Sequence, residues 1–132
     1  GNIMRSVCSE TGRVIDEDWI RDAEDIPPRS PHSPTGLARP DVVWFGEALP
    51  RDVLDEAIGS LRSCQVCLAI GTSALVEPAA SLPLLARESG AMVVEINPRA
   101  TPLSPYAEHR MRLPASSALE ALATALEDVL AA

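Results

Sequence analysis

Three short apolar runs, each stopped by residues suited to a turn, constrain this chain more than any other feature. They are Asp41-Val42-Val43-Trp44-Phe45 before Gly46, Val66-Cys67-Leu68-Ala69-Ile70 before Gly71-Thr72-Ser73, and Met92-Val93-Val94-Glu95-Ile96 before Asn97-Pro98. Runs of this length and composition predict buried strands. Helical segments alternate with them. Pro50 suits the first turn of a helix over 50–62, where Val53, Leu54, Ala57, Ile58 and Leu61 share a face. Residues 77–89 read as a second helix, with Pro78 near its start, Gly90 as its stop and Pro83 as an internal kink or restart. In the last helix, Ser117 and Glu120 have capping-box spacing, and Leu119, Leu122, Leu126, Val129 and Leu130 make one apolar stripe. Such alternation implies a parallel sheet with covering helices. The expected fold class is α/β, part of a doubly wound, Rossmann-like sheet whose open edge calls for further strands.

Residues 1–40 lack this rhythm. They mix acids with the turn-rich run Pro27-Pro28-Arg29-Ser30-Pro31-His32-Ser33-Pro34-Thr35-Gly36, which reads as loops or a small module. Two parts are therefore expected: a small module over 1–40, and half of a nucleotide-binding domain over 41–132. The net charge of −8 argues against nucleic acid as a partner. No apolar run is long enough to span a bilayer, so no membrane partner is expected. Three cysteines are too few and too uneven for a disulfide framework, so a reducing cytoplasm is the expected compartment. Cys64-x-x-Cys67 reads as packing rather than redox chemistry, because Cys67 belongs to a strand and a redox pair usually opens a helix.

In a doubly wound sheet, ligands bind beyond the carboxyl ends of the strands. Gly71 allows close backbone approach there. Thr72 and Ser73 offer hydroxyls and N–H groups near a helix start, and Asn97 can bond ribose hydroxyls. Glycine followed by small polar residues also ends strands that bind nothing, so this pattern alone leaves both readings open. Glu47 is the acid best placed for a role, although a strand-end carboxylate often just pairs with an arginine.

The ordered set is more specific than its parts. Arg39-Pro40-Asp41-Val42-Val43-Trp44-Phe45-Gly46-Glu47, Gly71-Thr72-Ser73, Pro78-Ala79-Ala80 and Ile96-Asn97 occur in the order and spacing of sirtuins, the NAD-dependent protein-lysine deacylases. The opening Gly1-Asn2-Ile3-Met4-Arg5-Ser6-Val7-Cys8 resembles the sirtuin segment leading to the first zinc cysteine. The resemblance covers essentially the whole chain as a C-terminal portion. With Trp44 and the stretch Ala80-Ser81-Leu82-Pro83-Leu84-Leu85, it is nearest to the bacterial, desuccinylase-like class.

The resemblance implies NAD as cofactor, with Gly71, Thr72 and Ser73 at its phosphates and adjacent ribose, Asn97 at the adenosine ribose and Ala115 near the adenine. It implies an acyl-lysine peptide or protein as substrate. Val43, Trp44 and Phe45 would line the acyl-lysine tunnel, while Gly46 and Glu47 offer backbone to a peptide added as a strand. It assigns no catalytic residue to this chain. The glycine-rich NAD loop, the Gln-Asn-x-Asp motif and the catalytic histidine would all lie upstream of Gly1, so the N-terminal half of the fold is expected as a partner. His32 and His109 fall at positions without a catalytic role. The zinc module is degenerate: its four ligand positions hold Cys8, Thr11, Ser30 and Ser33, and three hydroxyls do not make a stable tetrahedral site. Structural zinc is therefore expected to be absent. A non-catalytic module binding NAD or ADP-ribose is the alternative. The middle domain of a thiamine-diphosphate enzyme fits the sheet but not the Val42–Glu47 block.

Overall fold

The computed structural model describes residues 1–131. The chain divides into two units, Gly1–Leu49 and Pro50–Ala132, so the division falls after Leu49 rather than at 40/41.

The first unit is built on a small antiparallel sheet. Strand β1 (Asn2–Cys8) lies between β2 (Val14–Ile15) and β3 (Ala38–Asp41). Val7 pairs with both Val14 and Arg39, and Cys8 with Ala38. The one-turn helix α1 (Glu17–Arg21) is capped by Asp16, whose carboxylate accepts from the Asp18 N–H at 2.8 Å. Val7, Cys8, Ile15, Ser30 and Gly36 form the buried positions of this unit. Residues 1–40 are thus more regular than expected. Their pairing is long-range, β1 with β3, and leaves no local periodicity to read.

The strand expected over 41–45 does not form. β3 ends at Asp41, and Val42–Glu47 turns back on itself. Val43, Trp44 and Phe45 are 44%, 52% and 92% exposed rather than buried. Gly46 supplies a φ of +87° to this turn, a left-handed conformation that glycine adopts without steric cost. The apolar run therefore belongs to a loop of the small unit, not to the parallel sheet.

The second unit carries the α/β architecture. Strands β4 (Val66–Ile70), β5 (Met92–Ile96) and β6 (His109–Met111) form a parallel sheet in that order. Helix α2 (Arg51–Ser63) precedes β4, and α3 (Leu82–Glu88) follows it after a 3-10 turn at Ala79–Ser81. Pro83 sits in the first turn of α3, where its missing N–H costs nothing, so the helix restarts there. Gly90, at φ +96°, ends it. Helix α4 (Ala115–Leu130) closes the unit. Its cap position is Pro114, so the Ser117–Glu120 capping box is not used; both residues already lie inside the helix. β6 escaped prediction because three residues are too few to show a period.

Successive strand residues face opposite sides of the sheet. Cys67, Ala69 and Val93 pack with Ala86 of α3 and with Leu61 and Cys64 at the end of α2. Val94 and Ile96 pack on the other side with Ala118, Leu122 and Met111. β4 is therefore half-buried rather than fully buried: Val66, Leu68 and Ile70 remain 46%, 47% and 36% exposed. The stripe on α4 is likewise exposed from Leu126 through Leu130. Among the described residues, no helix is long and apolar enough to cross a membrane.

Candidate functional site

Because β4, β5 and β6 run parallel, the segments that follow them emerge at one edge of the sheet. Those segments contain Gly71-Thr72-Ser73, Asn97-Pro98-Arg99 and Arg112-Leu113-Pro114-Ala115. Gly71 has φ +64°, and its N–H donates to the Ile96 carbonyl at 2.9 Å. Nothing lies within 4 Å of where a Cβ would project, so the turn is open on its outer side. The Thr72 hydroxyl accepts from the Ala74 N–H at 3.1 Å. This closes the turn over buried Ala74, itself at φ +51°. Ser73 is exposed.

Asn97 joins two of these segments. Its side-chain amide donates to the Thr72 carbonyl at 2.7 Å, and its Oδ1 accepts from the Arg99 N–H at 3.0 Å. Ala115 opens α4, whose first turn has no capping side chain. The uncapped N–H groups of that turn make this corner favourable to negative charge. One sheet edge thus gathers every residue assigned to the nucleotide: a glycine turn, two hydroxyls, an amide and a helix start.

Sequence reasoning missed what fixes this edge. Glu95 on β5 is only 1% exposed. Its carboxylate accepts from the hydroxyls of Thr101 and of Ser104 (2.7 Å) and from the Arg112 guanidinium at 2.6 Å. Burial opposes its charge, but these donors outweigh burial and hold the carboxyl below its usual range. Arg112 also donates to the carbonyls of Asn97 (3.4 Å) and Arg99 (3.2 Å) and to the Ser104 hydroxyl (2.9 Å). The available signal was a lone acid inside an apolar strand, which requires a charged or hydrogen-bonding partner.

In the first unit, Arg39 clasps Glu47 through two bonds of 2.5 and 2.8 Å and donates to the Val42 carbonyl at 2.9 Å. Its guanidinium lies 4.8 Å from the Trp44 ring centroid. The Glu47 carboxylate also accepts from the Trp44 N–H, and the Glu47 N–H returns to the Trp44 carbonyl, both at 3.0 Å. The Arg39 hydrogen bonds, with that N–H, bring the Glu47 carboxyl down to about 2. Glu47 is thus the fastener of a loop that presents Val43, Trp44 and Phe45 outward.

The degenerate zinc positions lie together in the same unit. Cys8 is 1% exposed; hydrogen bonds from Ser30, then Thr11, bring its thiol down to about 7. A Cβ on Gly36 would come within 2.8 Å of its sulfur. Ser33 donates instead to Glu10, which also accepts from the Thr35 hydroxyl at 2.8 Å. His32 is bonded through Nε2 to the Val14 carbonyl at 2.8 Å. One thiol among hydroxyls already engaged does not fit structural zinc. Among the described residues, no group of three or more His, Cys, Asp or Glu is arranged to hold a metal. Cys64 and Cys67 are unpaired, and burial pushes the Cys67 thiol up, as suits a packing residue.

Residues 1–78 match the Sir2 family. The chain belongs to the Sir2 family. Over 126 residues, 96% of the chain, it is 40% identical to an NAD-dependent protein deacylase of Aeropyrum pernix, of which it covers 50%. Over 105 residues, 79% of the chain, it is 54% identical to NAD-dependent protein deacylase 1 of Caldanaerobacter subterraneus subsp. tengcongensis, of which it covers 42%. The sirtuin chain here thus spans about half the length of the curated relatives it matches. A mutant Sir2 homologue solved with ADP-ribose superimposes with a TM-score of 0.85 at 36% identity, over 99% of this chain and 52% of that one. Sir2 solved with a p53 peptide and NAD+ gives 0.82 at 30% identity, over 100% of this chain and 54% of that one. The α/β architecture of this sirtuin chain is that of its family.

Proposed function

We propose that this chain supplies the adenosine-binding edge and the acyl-lysine loop of an NAD-dependent protein-lysine deacylase. The observation that carries the reading is the gathering of Gly71–Ser73, Asn97 and Ala115 at one carboxyl edge of a parallel sheet, with Asn97 bonded to Thr72. NAD, when bound, supplies an activated nicotinamide–ribose bond. Thr72 and Ser73 meet the phosphates and adjacent ribose, Asn97 the adenosine ribose, and Ala115 lies by the adenine. Val43, Trp44 and Phe45 form the apolar wall for the acyl-lysine stem, while Gly46 and Glu47 lie beside the peptide backbone. Relatives solved with ADP-ribose, with NAD+ and with a peptide support this assignment.

His32 holds the Val14 carbonyl, and His109 lies within β6. On the sirtuin resemblance, the general base for the ribose hydroxyl is a histidine of the N-terminal half of the fold. The chain's unpaired thiols suit a reducing cytoplasm. The test is nicotinamide release from NAD by the protein completed with that half, using acetyl-lysine and succinyl-lysine peptides in parallel. Peptide-dependent release is expected, and the faster peptide sets the acyl class. Binding of ADP-ribose without any release would favour the non-catalytic module.

A further inference from the structure

Asn97 can serve a ribose only if its amide is held still. Its backbone carbonyl and that of Arg99 both accept from Arg112, and Arg112 is in turn bonded to Glu95, buried at 1% exposure beneath the loop. Ser104 bonds both members of the pair, and its hydroxyl also accepts from the Thr101 N–H at 2.8 Å. Thr101 donates to the other oxygen of Glu95. The stretch from Asn97 to Ser104 is therefore tied to one ion pair whose carboxylate is buried and whose guanidinium reaches the surface. Asn97 passes that constraint on to the β4 turn through its bond to the Thr72 carbonyl.

We infer that the Glu95–Arg112 pair positions the nucleotide edge: it fixes the Asn97 loop and, through Asn97, the Gly71–Ser73 turn, so that affinity for the ADP-ribose part of the cofactor depends on it. This rests on the proposed function. Glu95 and Arg112 are positioning residues here, acting through Asn97. A guanidinium is needed because it reaches a carboxylate, two carbonyls and a hydroxyl at once, whereas an ammonium is a point donor.

The test is calorimetric titration of the intact protein with ADP-ribose, comparing wild type, Asn97→Ala, Glu95→Gln, Arg112→Lys and the Glu95→Gln/Arg112→Lys double variant. Thermal melts and acyl-lysine peptide binding are recorded on each. Either single change is expected to weaken ADP-ribose about tenfold, the size of one lost charged hydrogen bond. Peptide affinity should stay unchanged, and the double variant should lose little more than the singles, since the pair acts as one unit. Arg112→Lys keeps the charge and lies at the edge of the network, so it remains informative if Glu95→Gln fails to fold. Lower melting temperatures with unchanged ADP-ribose affinity would reduce the pair to a structural role and overturn the inference. Weak binding by Asn97→Ala beside wild-type binding by Arg112→Lys would do the same while leaving the proposed function standing. No binding by wild type would overturn the proposed function and this inference with it.

Discussion

Glu47 and Glu95 both lie in or beside apolar runs, yet their surroundings divide their tasks. Glu47 is partly exposed and locked to Arg39; Glu95 is buried and locked to Arg112. The sequence left the Glu47 carboxylate as either a functional acid or an arginine partner, and it is paired with Arg39; the peptide contact expected of Glu47 runs through its backbone. Its carboxyl sits near 2, against about 4.3 for an unperturbed glutamate. A depressed folded value stabilises the folded loop above the unfolded value, and that contribution is lost as pH falls through about 2. The side-chain carboxyl resonance of Glu47 should therefore titrate near 2, and in Arg39→Ala it should move up toward the ordinary range. A wild-type midpoint in the ordinary range would contradict the clasp. Glu95 was legible only as an anomaly, because its partner lies 17 residues away and nothing local announces it.

At the scale of elements, β4 and β5 stood out as continuous apolar runs stopped by Gly or Asn, and α2 by the apolar face that follows Pro50. The Asp41–Phe45 run misled because hydrophobicity alone does not distinguish a buried strand from an exposed apolar loop. Its flanking Arg39 and Glu47 decided the outcome. The small unit was hidden for another reason: its strands pair across about thirty residues, and its degenerate ligand positions carry no metal signature. Glu10, bonded to Ser33 and Thr35, ties together the two turns that zinc would otherwise bridge. Protein grown with added zinc should therefore carry no stoichiometric zinc by mass spectrometry, and a chelator should leave its melting temperature unchanged. One zinc per chain would contradict this. The β4 turn gives a second prediction. Gly71→Ala places a Cβ at φ +64°, and it should destabilise the second unit by about 1 kcal/mol in denaturant titration and weaken ADP-ribose binding. No change in either would show that the turn relaxes freely.

For the whole molecule, the family was legible in the sequence, and so was the gathering of Gly71–Ser73, Asn97 and Ala115, because strand order and direction alone send their turns to one edge. It did not convey how much apolar surface stays open. Val66, Leu68, Ile70, Leu126, Val129 and Leu130 form the faces that the parallel sheet and α4 leave uncovered among the described residues. On the proposed function, the three turns at the sheet edge act as a single nucleotide site. The most direct test is a map of backbone amide shifts as ADP-ribose is added to the isotope-labelled protein. Saturable shifts should concentrate at Gly71, Thr72, Ser73, Asn97 and Ala115, with Trp44 and Phe45 little affected. Saturable binding whose shifts fall elsewhere, or no shift at all, would contradict the claim.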